Sequence, residues 1–132
     1  MPRPLISLMV LLLCLLLTDS TPAVIRALPG TQGSYKLEFR GAFTGSGNAA
    51  VAATSVTIDG LVRDASGNTG NLIAPNLTLR NGRFRGTGTA MGLPIILSGR
   101  VDPPADVLRV ARLVCTYRTS QGRFGRIVGT PR

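Results

Sequence analysis

The sequence predicts an all-β protein, a single small antiparallel β-sandwich or barrel of about seven to nine short strands behind a cleaved leader. Three observations carry that expectation. Apolar and polar residues alternate with period two in several short stretches, as where Tyr35, Leu37 and Phe39 interleave with Lys36, Glu38 and Arg40. Clusters of Gly, Asn, Asp and Ser punctuate those stretches at close intervals. The chain is 132 residues long, enough for one domain and no more.

The first element is a leader. Leu5 to Leu17 is apolar apart from Ser7, too short for a bilayer span, which takes about 20 residues. Arg3 precedes the run, and the small and polar residues Thr18 to Ala23 follow it, so residues 1–23 are expected to be a secretory signal peptide. Thr21 and Ala23 would fill the small positions before the cut, with an exit after Ser20 as the alternative. Cys14 sits inside the apolar run behind Leu13, which argues against a lipid-bearing cysteine. The product is therefore expected outside the cytoplasm, secreted or periplasmic, with no transmembrane anchor after cleavage. Its one remaining thiol, Cys115, cannot form an intrachain disulfide.

Residues 24–33 have turn chemistry in Pro29-Gly30 and Gln32-Gly33 and read as a linker, leaving 34–130 as the β domain. Tyr35 to Phe43 reads as the first strand, Thr44 to Asn48 as a turn, and Ala49 to Ile58 as a weaker, Ala-rich strand. Asp59-Gly60 suits a two-residue hairpin turn, with a bulge at Gly60 in one long strand as the competing reading. Asp64 to Gly70 is a polar loop. The clearest unit is Asn76 to Arg80, then Asn81-Gly82, then Arg83 to Gly86, because Asn-Gly between alternating segments is the strongest short-range hairpin signal. Ile95 to Leu97, Ser98-Gly99 and Arg100-Val101 repeat that style before Asp102-Pro103-Pro104. Asp106 to Tyr117 carries both a helical face, with Val107, Ala111, Val114 and Cys115, and a strand alternation. Its β-branched content favours a strand from about Val110. Ser120-Gln121-Gly122 would turn the chain into a last strand, Arg123 to Val128.

Little in the sequence points to catalysis. There is no His, which removes the usual base for Ser or Cys nucleophiles and the commonest metal ligand. Beyond the leader the carboxylates are Glu38, Asp59, Asp64, Asp102 and Asp106, and turn chemistry accounts for Asp59 and Asp64. Cys115, flanked along its strand face by Leu113 and Tyr117, reads as a core residue. No catalytic residue, metal ligand or cofactor is expected, and the chain reads as a non-enzyme. A carboxylate-dependent hydrolase is a third reading only.

Charge is the feature furthest from average. The formal net charge is +9, and removing the leader takes away only Arg3 and Asp19, which leaves it unchanged. Lys36 is the sole lysine, and although a GC-rich genome also enriches arginine, guanidinium groups match phosphate, sulfate and carboxylate bidentately. In the Asn81-Gly82 hairpin Arg80 should face Arg83, with Arg85 on the same side, so Arg80, Arg83 and Arg85 are the expected anion-binding residues. They should be free of acidic neighbours within the hairpin, so a distant carboxylate such as Glu38 covers them, an external anion does, or solvent screening lets three exposed arginines tolerate one another. The expected partners are an anionic polysaccharide, a lipid headgroup or an acidic protein. Nucleic acid is disfavoured, since no recognisable nucleic-acid-binding motif is present. The alternative from another class is a small carrier enclosing an apolar ligand. Asn76-Leu77-Thr78 forms a glycosylation sequon, which has meaning only where exported proteins are glycosylated in this way, and the hairpin turn accounts for Asn81-Gly82-Arg83, which resembles an adhesion tripeptide.

Overall fold

The computed structural model describes residues 28–104 and 110–132. Eight strands follow one another as β1 (Gly33–Gly41), β2 (Thr44–Val51), β3 (Ser55–Arg63), β4 (Thr69–Arg80), β5 (Arg83–Ala90), β6 (Leu93–Asp102), β7 (Arg112–Thr119) and β8 (Phe124–Pro131). Each pairs antiparallel with the next, and β8 returns to β1, so the sheet closes into an up-and-down barrel. No helix among the described residues is long and apolar enough to cross a membrane. The signal-peptide reading and Asp106 fall outside the described residues.

Period-two alternation explains which side chains fill the interior. Tyr35, Leu37 and Phe39 of β1, Val56, Ile58 and Val62 of β3, and Leu113, Cys115 and Tyr117 of β7 all point inward and are buried, while most side chains that alternate with them are exposed, Val114 of β7 being covered even so. A closed barrel of eight strands has a lumen just wide enough to be filled by side chains. Here the filling works by pairing large with small. Phe39 stands across from Gly45, Phe84 from Gly99 and Tyr117 from Gly125. A methyl group added at Gly60 would come within 2.4 Å of the Phe39 ring, and one at Gly99 within 2.6 Å of Phe84. These glycines are where the aromatic rings lie.

That pairing overturns three expectations, each of which took an inward glycine for a turn. Asp59-Gly60 is neither a hairpin nor a bulge. β3 runs straight through it, with Gly60 in register against Gly47 on one side and Leu72 on the other. Ser98-Gly99 likewise lies within β6, and Thr44 to Asn48 forms most of β2. The turn between β2 and β3 falls instead at residues 52–54, inside the stretch read as one Ala-rich strand, where the Ala52 N–H donates to the Ser55 carbonyl at 2.9 Å. Phe43, read as part of the first strand, lies in the β1–β2 turn and is buried there.

The Asn81-Gly82 turn is as expected. Both residues have positive φ, 52° and 76°, and the register is Arg80 with Arg83, Leu79 with Phe84 and Thr78 with Arg85. Met91 and Gly92 make a second turn of this kind between β5 and β6, with φ of 52° and 79°. β4 starts earlier than its clearest signal, at Thr69, and carries one extra residue near Pro75 and Asn76. Its register shifts there against both neighbours, and two consecutive residues face outward. Proline, without an N–H to give the ladder, suits such a bulge. The ambiguous stretch before Tyr117 is strand from Arg112 onward, and the final turn closes with the Gly122 N–H on the Thr119 carbonyl at 3.0 Å.

Two tyrosine hydroxyls tie the ends of the barrel. Tyr117 accepts from the Phe43 N–H at 2.8 Å and donates to the Arg40 carbonyl at 2.9 Å, holding the β1–β2 turn down. Tyr35 donates to the Thr31 carbonyl at 2.6 Å at the opposite end. Residues 24–27 of the stretch read as linker lie outside the described residues. From Leu28 on, it packs against the barrel, and a methyl group at Gly82 would meet Leu28 at 2.6 Å.

Candidate anion-binding face

Arg80, Arg83 and Arg85 all point outward and are exposed, because each alternates with a buried neighbour, Leu79 or Phe84. The I′ turn places Arg80 directly across from Arg83, and neighbouring strands lie about 4.8 Å apart. The structure adds a fourth residue, Arg100 of β6, directly across from Arg83 on its other side. Arg80, Arg83 and Arg100 therefore form a row across three strands, with Arg85 two residues along β5 from Arg83. Sequence reasoning missed Arg100 because the supposed Ser98-Gly99 turn separated it from the strand to which it belongs.

Among the described residues no carboxylate pairs with the three predicted arginines. Among the described residues the ion pairs are Arg40 with Glu38 at 3.0 Å and Arg100 with Asp102 at 3.2 Å. Glu38, the distant carboxylate that could have offset the hairpin, is thus engaged by Arg40, whose hydrogen bonds and charge hold its pKa below the ordinary range. Arg80, Arg83 and Arg85 have no ion pair among the described residues. They border an open depression of about 460 Å³, together with Thr78 and Ser98. Like charges opposed across a hairpin cost about a few tenths of a kcal/mol, and no ion pair among the described residues removes that cost.

Of the other residues considered for chemistry, Asp64 and Cys115 have structural roles, whereas Asp59 lies mid-strand and not in the turn expected to account for it. Asp64 accepts from the Ser66 and Asn68 N–H groups at 3.0 and 2.9 Å and shapes the β3–β4 loop. Asp59 is exposed on β3 beside Asn48 and Ile73, at some remove from that loop. It borders a second depression with Lys36, Leu61 and Arg132, which no local motif announced. Cys115 is fully buried, and burial pushes its thiol up to about 12, against a smaller opposing backbone hydrogen bond from Ser98. A buried thiol held protonated is a poor nucleophile. No three Cys, Asp or Glu side chains come together among the described residues. The sequence matches no model of a known protein family, and no curated protein matches it.

Proposed function

We propose that this chain is an exported, non-enzymatic binding module whose arginine face on β4, β5 and β6 holds an anionic partner. The observation that supports it most is the set Arg80, Arg83 and Arg85, brought together by the hairpin and left without ion pairs among the described residues. Arg100 extends the face, although Asp102 offsets part of its charge. Guanidinium groups on adjacent strands can each present two parallel N–H donors to a phosphate, sulfate or carboxylate. The chain's net charge of +9 would draw such a partner in from a distance.

A carrier enclosing an apolar ligand would need room along the barrel axis. Tyr35, Phe39, Phe84 and Tyr117 occupy that space, each less than 3% exposed.

The test is binding to anionic polymers and vesicles over a salt series, for the wild type and for Arg80→Gln, Arg83→Gln and Arg85→Gln combined. The expected result is an affinity that falls with salt and, in the variant, weaker binding with a shallower salt slope. Equal affinity and equal slope would remove this face as the site.

A further inference from the structure

Outward residues on strands far apart in the chain meet in one row. Thr78 stands across from Arg85, Arg85 from Ser98, Ser98 from Thr116, Thr116 from Arg126, and Arg126 from Arg40. Every member is exposed and is either an arginine or a hydroxyl residue. Strands of such a barrel tilt roughly 35–45° from its axis, so a row perpendicular to them winds round the molecule. Ser98 and Thr116 are short, which leaves the row recessed where they sit. The depression bordered by Arg80, Arg83 and Arg85 continues past Ser98 into one bordered by Arg100 and Thr116. That one shares Ser98 and Thr116 with a third, which ends at Ile96, Arg118 and Phe124.

Phe124 sets this end apart. It is 74% exposed, while the other five aromatic residues are buried in the core. The recess thus offers cations at one end, hydroxyl groups along its floor, and an apolar ring with a further cation at the other.

We propose that the recess binds a linear anionic polysaccharide, with its acidic groups on Arg80, Arg83, Arg85 and Arg100 and a sugar ring against Phe124. This rests on the anion-binding reading of the face and names the partner's class. A flat membrane touches a cylinder along one side only, whereas a flexible polymer can follow a winding row. Binders of single-stranded nucleic acid interleave cations with several aromatic platforms. Here the positions between the cations are Ser98, whose hydroxyl can donate to sulfate or phosphate oxygens, and Thr116, whose hydroxyl donates to the Ser98 carbonyl at 3.2 Å and keeps its lone pairs for sugar hydroxyls.

The probes are dextran sulfate, inorganic polyphosphate as a linear polyanion without sugar, phosphatidylglycerol vesicles and oligothymidine. Ser98→Tyr fills the recess without changing charge, Thr116→Tyr does the same from β7 should the first variant not fold, and Phe124→Ala removes the ring. The expected result is a loss of roughly tenfold in dextran sulfate affinity for a recess-filling variant and a smaller loss for Phe124→Ala, which leaves polyphosphate binding unchanged. If the filled and Phe124→Ala variants hold dextran sulfate like the wild type while the triple Gln variant loses it, the arginine face stands and the recess proposal falls. Tighter binding of vesicles or oligothymidine than of dextran sulfate overturns the polysaccharide. Unchanged binding in the triple Gln variant overturns both readings.

Discussion

Tyr117 carries two duties that make its hydroxyl worth more than its ring alone. Its oxygen is the acceptor for the Phe43 N–H, and its proton goes to the Arg40 carbonyl, while the ring lies against Phe43 with centroids 5.8 Å apart. Tyr117→Phe keeps the packing and leaves a buried N–H without a partner, a loss of about 1–3 kcal/mol. A urea denaturation midpoint equal to the wild type's would show that water replaces the hydroxyl. Cys115 predicts a pH dependence. Its folded pKa is raised from 9.0 to about 12 by burial, so between those values the unfolded chain releases a proton that the folded chain keeps. The contribution is intact below pH 9 and is lost as pH rises towards 12, at up to roughly 1.4 kcal/mol per pH unit. Burial also raises Tyr35 and Tyr117, which adds to the decline above their ordinary value of 10.0. Urea midpoints taken at pH 7.5 and 10.5 should therefore fall less in Cys115→Ala than in the wild type, and an equal fall would contradict the assignment. The inward place of Cys115 was readable from its neighbours Leu113 and Tyr117. That of Arg100 was not, because its face depends on whether the chain turns at Gly99.

Within the strands, glycine marks close approach more often than it marks a turn. Gly60 lies mid-strand because the Phe39 ring occupies the space a side chain would take. Gly60→Ala should destabilise the barrel by about 1–3 kcal/mol through overpacking. Since the nearest atoms belong to that ring, Phe39→Leu in the same chain should recover part of the loss. Additive losses in a double-mutant cycle would show that the nearby Ser46 carbonyl, and not the ring, is the obstacle. The same physics decided which elements the sequence revealed. Asn81-Gly82 was legible because a two-residue turn needs positive φ at both positions, and Asn and Gly together meet that need. Gly45, Gly47, Gly60 and Gly99 misled because their cause is a ring or a backbone on a strand remote in sequence, which no local window contains. The β4 bulge was hidden for a related reason, since Pro75 reads locally as a strand end.

Closure of the barrel joins these scales. With β8 paired to β1, no strand edge is left open among the eight, so each strand of a chain with no intrachain disulfide expected has a hydrogen-bonded neighbour on both sides. The all-β class and the approximate strand count were legible from alternation. The choice between sandwich and barrel was not, because it depends on the pairing of the first strand with the last. The candidate site was legible in part, three arginines from one hairpin and not Arg100, which the β5–β6 pairing sets beside Arg83 once β6 runs through Gly99. An arginine face on β4 to β6 is the claim on which the functional reading turns, and backbone amide chemical-shift mapping during titration with a sulfated oligosaccharide tests it most directly. The predicted result is a set of saturating, salt-sensitive shifts confined to Thr78–Arg85 and Ser98–Arg100, spreading at most to Thr116 and Phe124. Shifts centred on Lys36, Asp59 and Arg132, or no shifts at low salt, would contradict it.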